Sequence, residues 1–113
     1  MKLVPCQFDL PLADNDGNPF PPEIFLEIKR YLDQQFGGWK IIGCAEGDEG
    51  SWLGQVERSL TVEVRVVKKE VAKLKKVVKE IGRTLGQKAI DFYDGRYIER
   101  FDLTKDEDKR GKK

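Results

Sequence analysis

The chain predicts an α+β fold in which two helices cover one face of an antiparallel sheet. Three observations carry that expectation. Residues 4–12 and 60–66 alternate apolar and polar side chains with the period of a half-buried strand. Residues 68–88 place apolar and basic side chains on opposite sides of a helix. The strand and helix signals follow one another in the order strand, helix, strand, strand, helix, strand, with a short hairpin at the end.

The first strand is read from Val4, Cys6, Phe8, Leu10 and Leu12, which alternate with Pro5, Gln7 and Asp9. Pro5 has no amide hydrogen for a ladder, so regular pairing is expected only after it. ADNDGNPFPP, residues 13–22, is turn-rich and reads as a loop. Pro21 and Pro22 suit the start of a helix, and Glu23 sits in its first turn, where a carboxylate interacts well with exposed amides. Ile24, Phe25, Ile28, Tyr31, Leu32 and Phe36 follow at helical spacing, and Gly37-Gly38 is the stop.

WKIIGCA, residues 39–45, is a short apolar strand, and the acidic, glycine-rich residues 46–55 form a long loop after it. Leu60, Val62, Val64 and Val66, alternating with Thr61, Glu63 and Arg65, give the clearest strand signal. In the helix that follows, Val71, Leu74, Val78, Ile81 and Leu85 make the apolar stripe, and Lys68, Lys69, Lys73, Lys75, Lys76, Lys79 and Arg83 crowd the other side. AIDFY, residues 89–93, resumes strand character, Asp94-Gly95 signals a two-residue hairpin, and Arg96 to Phe101 can pair back. This order is that of the ferredoxin-like βαββαβ sandwich, extended by a C-terminal β-hairpin. Residues 1–103 are expected to form a single domain, and residues 104–113, which lack any apolar side chain, a disordered charged tail.

Composition narrows the function. The 113 residues, 39% hydrophobic and 36% charged, suffice for one small core and leave no room for a second domain. Lysine plus arginine (21) nearly cancels aspartate plus glutamate (20), so any preference for an anionic partner must be local. No run approaches the ~18 apolar residues of a membrane span, and no signal-peptide core is evident at the start, so no membrane and a cytoplasmic location are expected. The chain has no histidine, which excludes Ser-His-Asp and Cys-His catalysis and removes the commonest general base near neutral pH. Cys6 and Cys44 lie far apart without the spacing of a metal set and read as reduced, buried hydrophobes. No cofactor and no metal are expected.

Three constellations could carry a function. If the apolar alternates face the helices, then Gln7, Asp9, Thr61, Glu63, Arg65, Asp91 and Tyr93 share the open face. With the first strand central, Asp9, Glu63 and Asp91 could converge to bind a hard cation or to divide acid and base roles. The plainer reading is a polar face satisfied by Arg65 and solvent. Lys69, Lys73, Lys76, Lys79 and Arg83 could contact phosphates or an acidic partner, although strand 60–66 lacks the aromatics with which RNA-binding sheets stack bases. A solubilising helix face is the plainer reading there. Trp52-Leu53, between Gly50 and Gly54, could anchor in a partner's pocket or fold back on the sheet edge. Asp14, Asp16 and Asn18 resemble a calcium loop but lack the glycine and glutamate positions of one, and read as turn chemistry.

The run PLADNDGNPFPPEIF, FGGW at the end of the first helix, Trp52 in the mid-chain loop and LGQKAIDF after the second helix resemble a family of short bacterial proteins of unknown function. The resemblance spans residues 3–92 and implies the fold and no particular activity. The expected function is therefore a non-enzymatic cytosolic binding or accessory module, engaging a protein partner or a second copy through Trp52-Leu53, the basic helix face, or both. The alternative is a small enzyme or ligand-binding protein using Asp9, Glu63, Arg65, Asp91 and Tyr93 on the open face. A third reading is nucleic-acid binding through the basic helix.

Overall fold

The computed structural model describes residues 2–47 and 57–104. The elements run β1 (Val4–Pro11), α1 (Pro22–Phe36), β2 (Lys40–Gly47), β3 (Glu57–Val66), a single 3-10 turn (Lys68–Glu70), α2 (Val71–Thr84), β4 (Ala89–Tyr93) and β5 (Ile98–Asp102). Every strand pair is antiparallel, in the order β2-β3-β1-β4-β5. Both helices lie on one face, α2 against β1 and β4 and α1 against β3. The expected sandwich with its hairpin extension is the observed one.

The helix ends follow local chemistry. Pro22 opens α1 at a position whose amide has no intrahelical partner, and Gly37, at φ 80°, closes it by donating its N–H to the Asp33 carbonyl. α2 stops four residues before the Lys88 that bounds its sequence pattern, because Gly86 turns left-handed at φ 74°. The Gln87 amide then reaches the Gly82 carbonyl (2.9 Å) and the Gly86 amide that of Arg83 (3.0 Å), the paired bonds of a Schellman stop.

Strand boundaries differ from the sequence expectation in three places. β1 already pairs with β3 at Val4 and Pro5 rather than only after the proline, because β4 pairs with β1 only at Gln7 and Phe8 and the missing Pro5 amide costs no ladder bond on that side. β2 runs on through Glu46 and Gly47, residues expected in the loop, because β3 begins early enough for Gly47 to pair with Glu57. The terminal turn is displaced by one residue. Asp94 donates its amide to the Tyr97 carbonyl (3.2 Å), so the two loop residues are Gly95 and Arg96 rather than Asp94 and Gly95. The Asp94 carboxylate drives the displacement by accepting the Arg96 and Tyr97 amides, both at 2.9 Å, which holds its own carboxyl below the usual range.

The core is built from Cys6, Phe8 and Leu10 of β1, Val62, Val64 and Val66 of β3, Ile90 and Phe92 of β4, Phe101 of β5, and Leu74, Val77, Val78 and Ile81 of α2 with Leu85 at its C-cap. α1 contributes a single buried side chain, Leu32, with Ile24, Phe25, Ile28 and Phe36 partly buried beside it. Just past β5, Leu103 donates its backbone N–H to the Lys88 carbonyl (2.9 Å) and lies against Gly82 of α2. Cys6 is a free thiol whose pKa burial pushes up to about 11, so it behaves as a small hydrophobe. Cys44 sits in β2 opposite Leu60.

Candidate functional site: a polar cleft on the open sheet face

The strand register decides which open-face side chains meet. β1 and β3 set Asp9 opposite Thr61, β4 and β5 set Asp91 opposite Arg100, and the β1–β4 pairing of Gln7 with Tyr93 and Phe8 with Phe92, continued by one residue, sets Asp9 beside Asp91. One row across four strands therefore reads Thr61, Asp9, Asp91, Arg100. The next row reads Lys40, Glu63, Gln7, Tyr93, Ile98.

The three carboxylates singled out from the sequence do not form one cluster. Glu63 belongs to the second row and is locked there. Arg65 Nε donates to one of its oxygens at 2.7 Å, the Gln7 amide donates to the other at 3.1 Å, and Lys40 stands 4.0 Å away. The Arg65 hydrogen bond foremost, then Gln7 and the charges of Arg65 and Lys40, hold the Glu63 carboxyl below its usual range although the residue is only 7% exposed. Tyr93 shares that row and is half-buried. Among the described residues no group of three or more acidic or cysteine side chains is placed to hold a metal ion.

Asp9, Asp91 and Arg100 of the first row form the floor of a cleft of about 640 Å³. Its depth has a simple origin. The row beyond it carries the small or ring-closed side chains Ser59, Pro11 and Ala89, which leave a depression, and the loop from Ala13 to Gly17 stands up as the facing wall with Gln87. That loop is stiffened internally. The Asp14 carboxylate accepts the amides of Asn18 (2.8 Å) and Asp16 (2.9 Å), which lowers its pKa, and an Ala13–Pro19 bridge closes the base. Asn15 ties the wall to the end of α2 through its side-chain N–H to the Gly86 carbonyl, 3.0 Å. The Asp14, Asp16, Asn18 series is thus a self-satisfied turn.

The two floor carboxylates differ. Asp91 is gripped by both donors of the Arg100 fork, Nε at 2.7 Å and Nη2 at 3.1 Å, and that fork holds it ionised below the usual aspartate range. Asp9 accepts one hydrogen bond, from the Thr61 hydroxyl at 2.7 Å, and is exposed in the cleft. Like charges facing each other across neighbouring strands are unfavourable, and Arg100 relieves only the Asp91 half. The cleft thus offers a fixed guanidinium–carboxylate pair and, beside it, a carboxylate with acceptor capacity to spare.

Of the open-face residues drawn from sequence, Asp9 and Asp91 meet in the cleft, and Glu63, Arg65 and Tyr93 fall outside it. Nothing in the sequence pattern marks Arg100, Ser59, Gln87 or the 13–17 wall as neighbours of Asp9 and Asp91. A hairpin turning on Asp94-Gly95 would set Asp91 opposite Ile98, and only the displaced turn brings it opposite Arg100. On the helix side, Lys73 Nζ lies 5.2 Å from the Phe36 ring centre, Lys79 Nζ 4.8 Å from that of Phe101, and Lys75 pairs with Glu99 at 3.1 Å. Lys69, Lys76 and Arg83 are exposed. Trp52, Leu53 and the expected tail from residue 105 onward lie outside the described residues.

No family model matches the chain. No curated protein matches it either. A solved structure does: a phage SAM lyase in complex with S-methyl-5'-thioadenosine is similar to it with a TM-score of 0.58, at 11% sequence identity, over 88% of this chain and 89% of that one. At that identity the likeness shows the architecture, two helices over one face of an antiparallel sheet.

Proposed function

We propose that this protein binds a small polar ligand in the open-face cleft. The observation that carries the reading is the convergence, in one concavity of about 640 Å³, of the Asp91–Arg100 fork and the available carboxylate of Asp9. That volume is in the range of small-molecule sites, roughly 300–1,000 Å³. The fork is anchored on two strands and the wall on internal hydrogen bonds, so the site is preformed and a ligand need not order it. Asp9 accepts hydrogen bonds from ligand hydroxyl or amino groups, and Arg100 donates to ligand oxygens beyond Asp91.

Support from outside the chain comes from the fold alone. The similar phage SAM lyase was captured with S-methyl-5'-thioadenosine, a nucleoside-sized polar molecule, which makes such compounds the first to try. A cytoplasmic setting is proposed with this reading. Among the described residues no helix is long and apolar enough to cross a membrane.

Calorimetric titration with S-methyl-5'-thioadenosine and a panel of nucleosides, amino acids and amines tests the reading. Saturable binding is expected, weakened at least tenfold by Asp9→Asn and by Arg100→Gln, with Tyr93→Phe, outside the cleft, as the unchanged control. Absence of binding across the panel at millimolar concentration, or binding indifferent to both cleft substitutions, rejects it.

A further inference from the structure

Charge is segregated in this molecule rather than mixed. Residues 68–88 carry eight cations against two glutamates, a surplus of six, in a chain whose net charge is +1, so the remainder is acidic by five. Surfaces that serve solubility alone intersperse the two signs. The structure also sorts the cations by position. On the flanks of α2 three of them reach neighbouring elements: Lys73 over Phe36 at its α1 side, Lys75 to Glu99, and Lys79 over Phe101 at its β5 side.

Between the flanks runs an exposed basic ridge, Lys69 from the 3-10 turn and Lys76 and Arg83 from α2. Lys76 and Arg83 stand two helical turns apart on α2, about 10 Å at 1.5 Å per residue, and Lys69 precedes them in the 3-10 turn that leads into the helix. Glu80 interrupts it and is engaged from the α1 side by the Tyr31 hydroxyl at 3.5 Å.

We propose that this ridge docks on the phosphate backbone of a nucleic acid without reading its sequence. A linear array of positive charge complements a linear polyanion. A membrane surface is a poor fit, because an amphipathic helix binds lipid through its apolar face and that of α2 is consumed by Leu74, Val77, Val78, Ile81 and Leu85 in the core. With no aromatic side chain on the ridge to stack a base, the contact is confined to phosphates. This proposal is independent of the cleft.

The test is fluorescence anisotropy of a labelled DNA duplex of about 20 base pairs against the full chain, from 50 to 200 mM salt. Neutralising two or three phosphates predicts a log–log salt slope of roughly −2 to −3. Lys69→Glu with Lys76→Glu should weaken binding at least tenfold, and Lys2→Glu with Lys29→Glu, reversing as many charges elsewhere, should matter much less. The milder pair Lys69→Gln and Lys76→Gln gives the same readout if the reversal perturbs α2, with circular dichroism as the folding check. No binding at 50 mM salt, equal losses from both reversals, or displacement of the duplex by poly-glutamate at matched charge would overturn the proposal, the last in favour of an acidic protein partner.

Discussion

The two helices share one face of one sheet and look equally amphipathic in sequence, but they are used unequally. α2 buries Leu74, Val77, Val78 and Ile81, with Leu85 at its C-cap, whereas α1 buries only Leu32 and leaves Ile24, Phe25, Ile28 and Phe36 part-exposed. The difference lies in what is beneath them. α2 lies over β1 and β4, in the middle of the sheet, while α1 lies against β3 and toward the β2 edge, where Ile41 stays 54% exposed. Apolar spacing identifies which face of a helix turns inward. How much sheet is available to receive that face is a property of topology.

Stability should divide along the same line. Leu74→Ala removes a fully buried side chain from the first turn of α2 and should cost about 2–5 kcal/mol, the range for leucine truncation in a core that collapses poorly. Ile28→Ala, on the part-exposed α1 stripe, should cost no more than about half as much, since much of the side chain already meets water. Denaturant titration of both variants compares them directly. Equal losses would show that α1 is as deeply seated as α2 and would remove the contrast.

The α2 side is also the more tightly fitted. A Cβ placed on Gly82 would stand 2.5 Å from Leu103 Cδ1, so Gly82→Ala must displace Leu103 or lift the helix, at a cost of about 1–3 kcal/mol despite alanine's better helix propensity. Combining it with Leu103→Ala should give a loss smaller than the sum of the two single losses, because the second truncation makes room for the first. Strict additivity would mean that Leu103 is not what limits Gly82.

The legible parts of this molecule are those that local rules determine. The alternation of Val62, Val64 and Val66 and the Gly37 stop are read from neighbouring residues, and they were foreseen. Asp9 and Asp91 were likewise placed on the open face by parity alone. Their company was not legible, because it depends on register. The Asp94 carboxylate captures two amides and moves the turn by one residue, which is what brings Arg100 to Asp91. Glu63 looked like a solvent-facing partner of Asp9. Its burial follows from Arg65, Gln7 and Lys40 closing over it, a convergence of three strands that no local pattern announces. The cleft wall is less legible still, since Asn15 reaches a carbonyl 71 residues away.

The open face continues the contrast between the two halves of the sheet, at smaller energies. Glu63 joins β3 to β1 and to the β2 edge on the α1 side, and Asp91 with Arg100 joins β4 to β5 on the α2 side. Both carboxyls sit below their usual pKa, Glu63 chiefly through its Arg65 hydrogen bond and Asp91 chiefly through that to Arg100. A depressed folded-state pKa stabilises the protein above the unfolded value, near 4 for carboxylates, and the contribution vanishes as pH falls through the folded value. Glu63→Gln should therefore destabilise at pH 7 and converge on the parent protein below about pH 4. Asp91→Asn should show the same trend with a smaller amplitude, because its carboxylate side chain is 42% exposed against 9% for Glu63 and solvent screens the pair. Thermal melts from pH 3 to 8 distinguish the two. A larger amplitude for Asp91 would place the electrostatic weight of the sheet on the same side as its core, under α2, and reverse this part of the comparison.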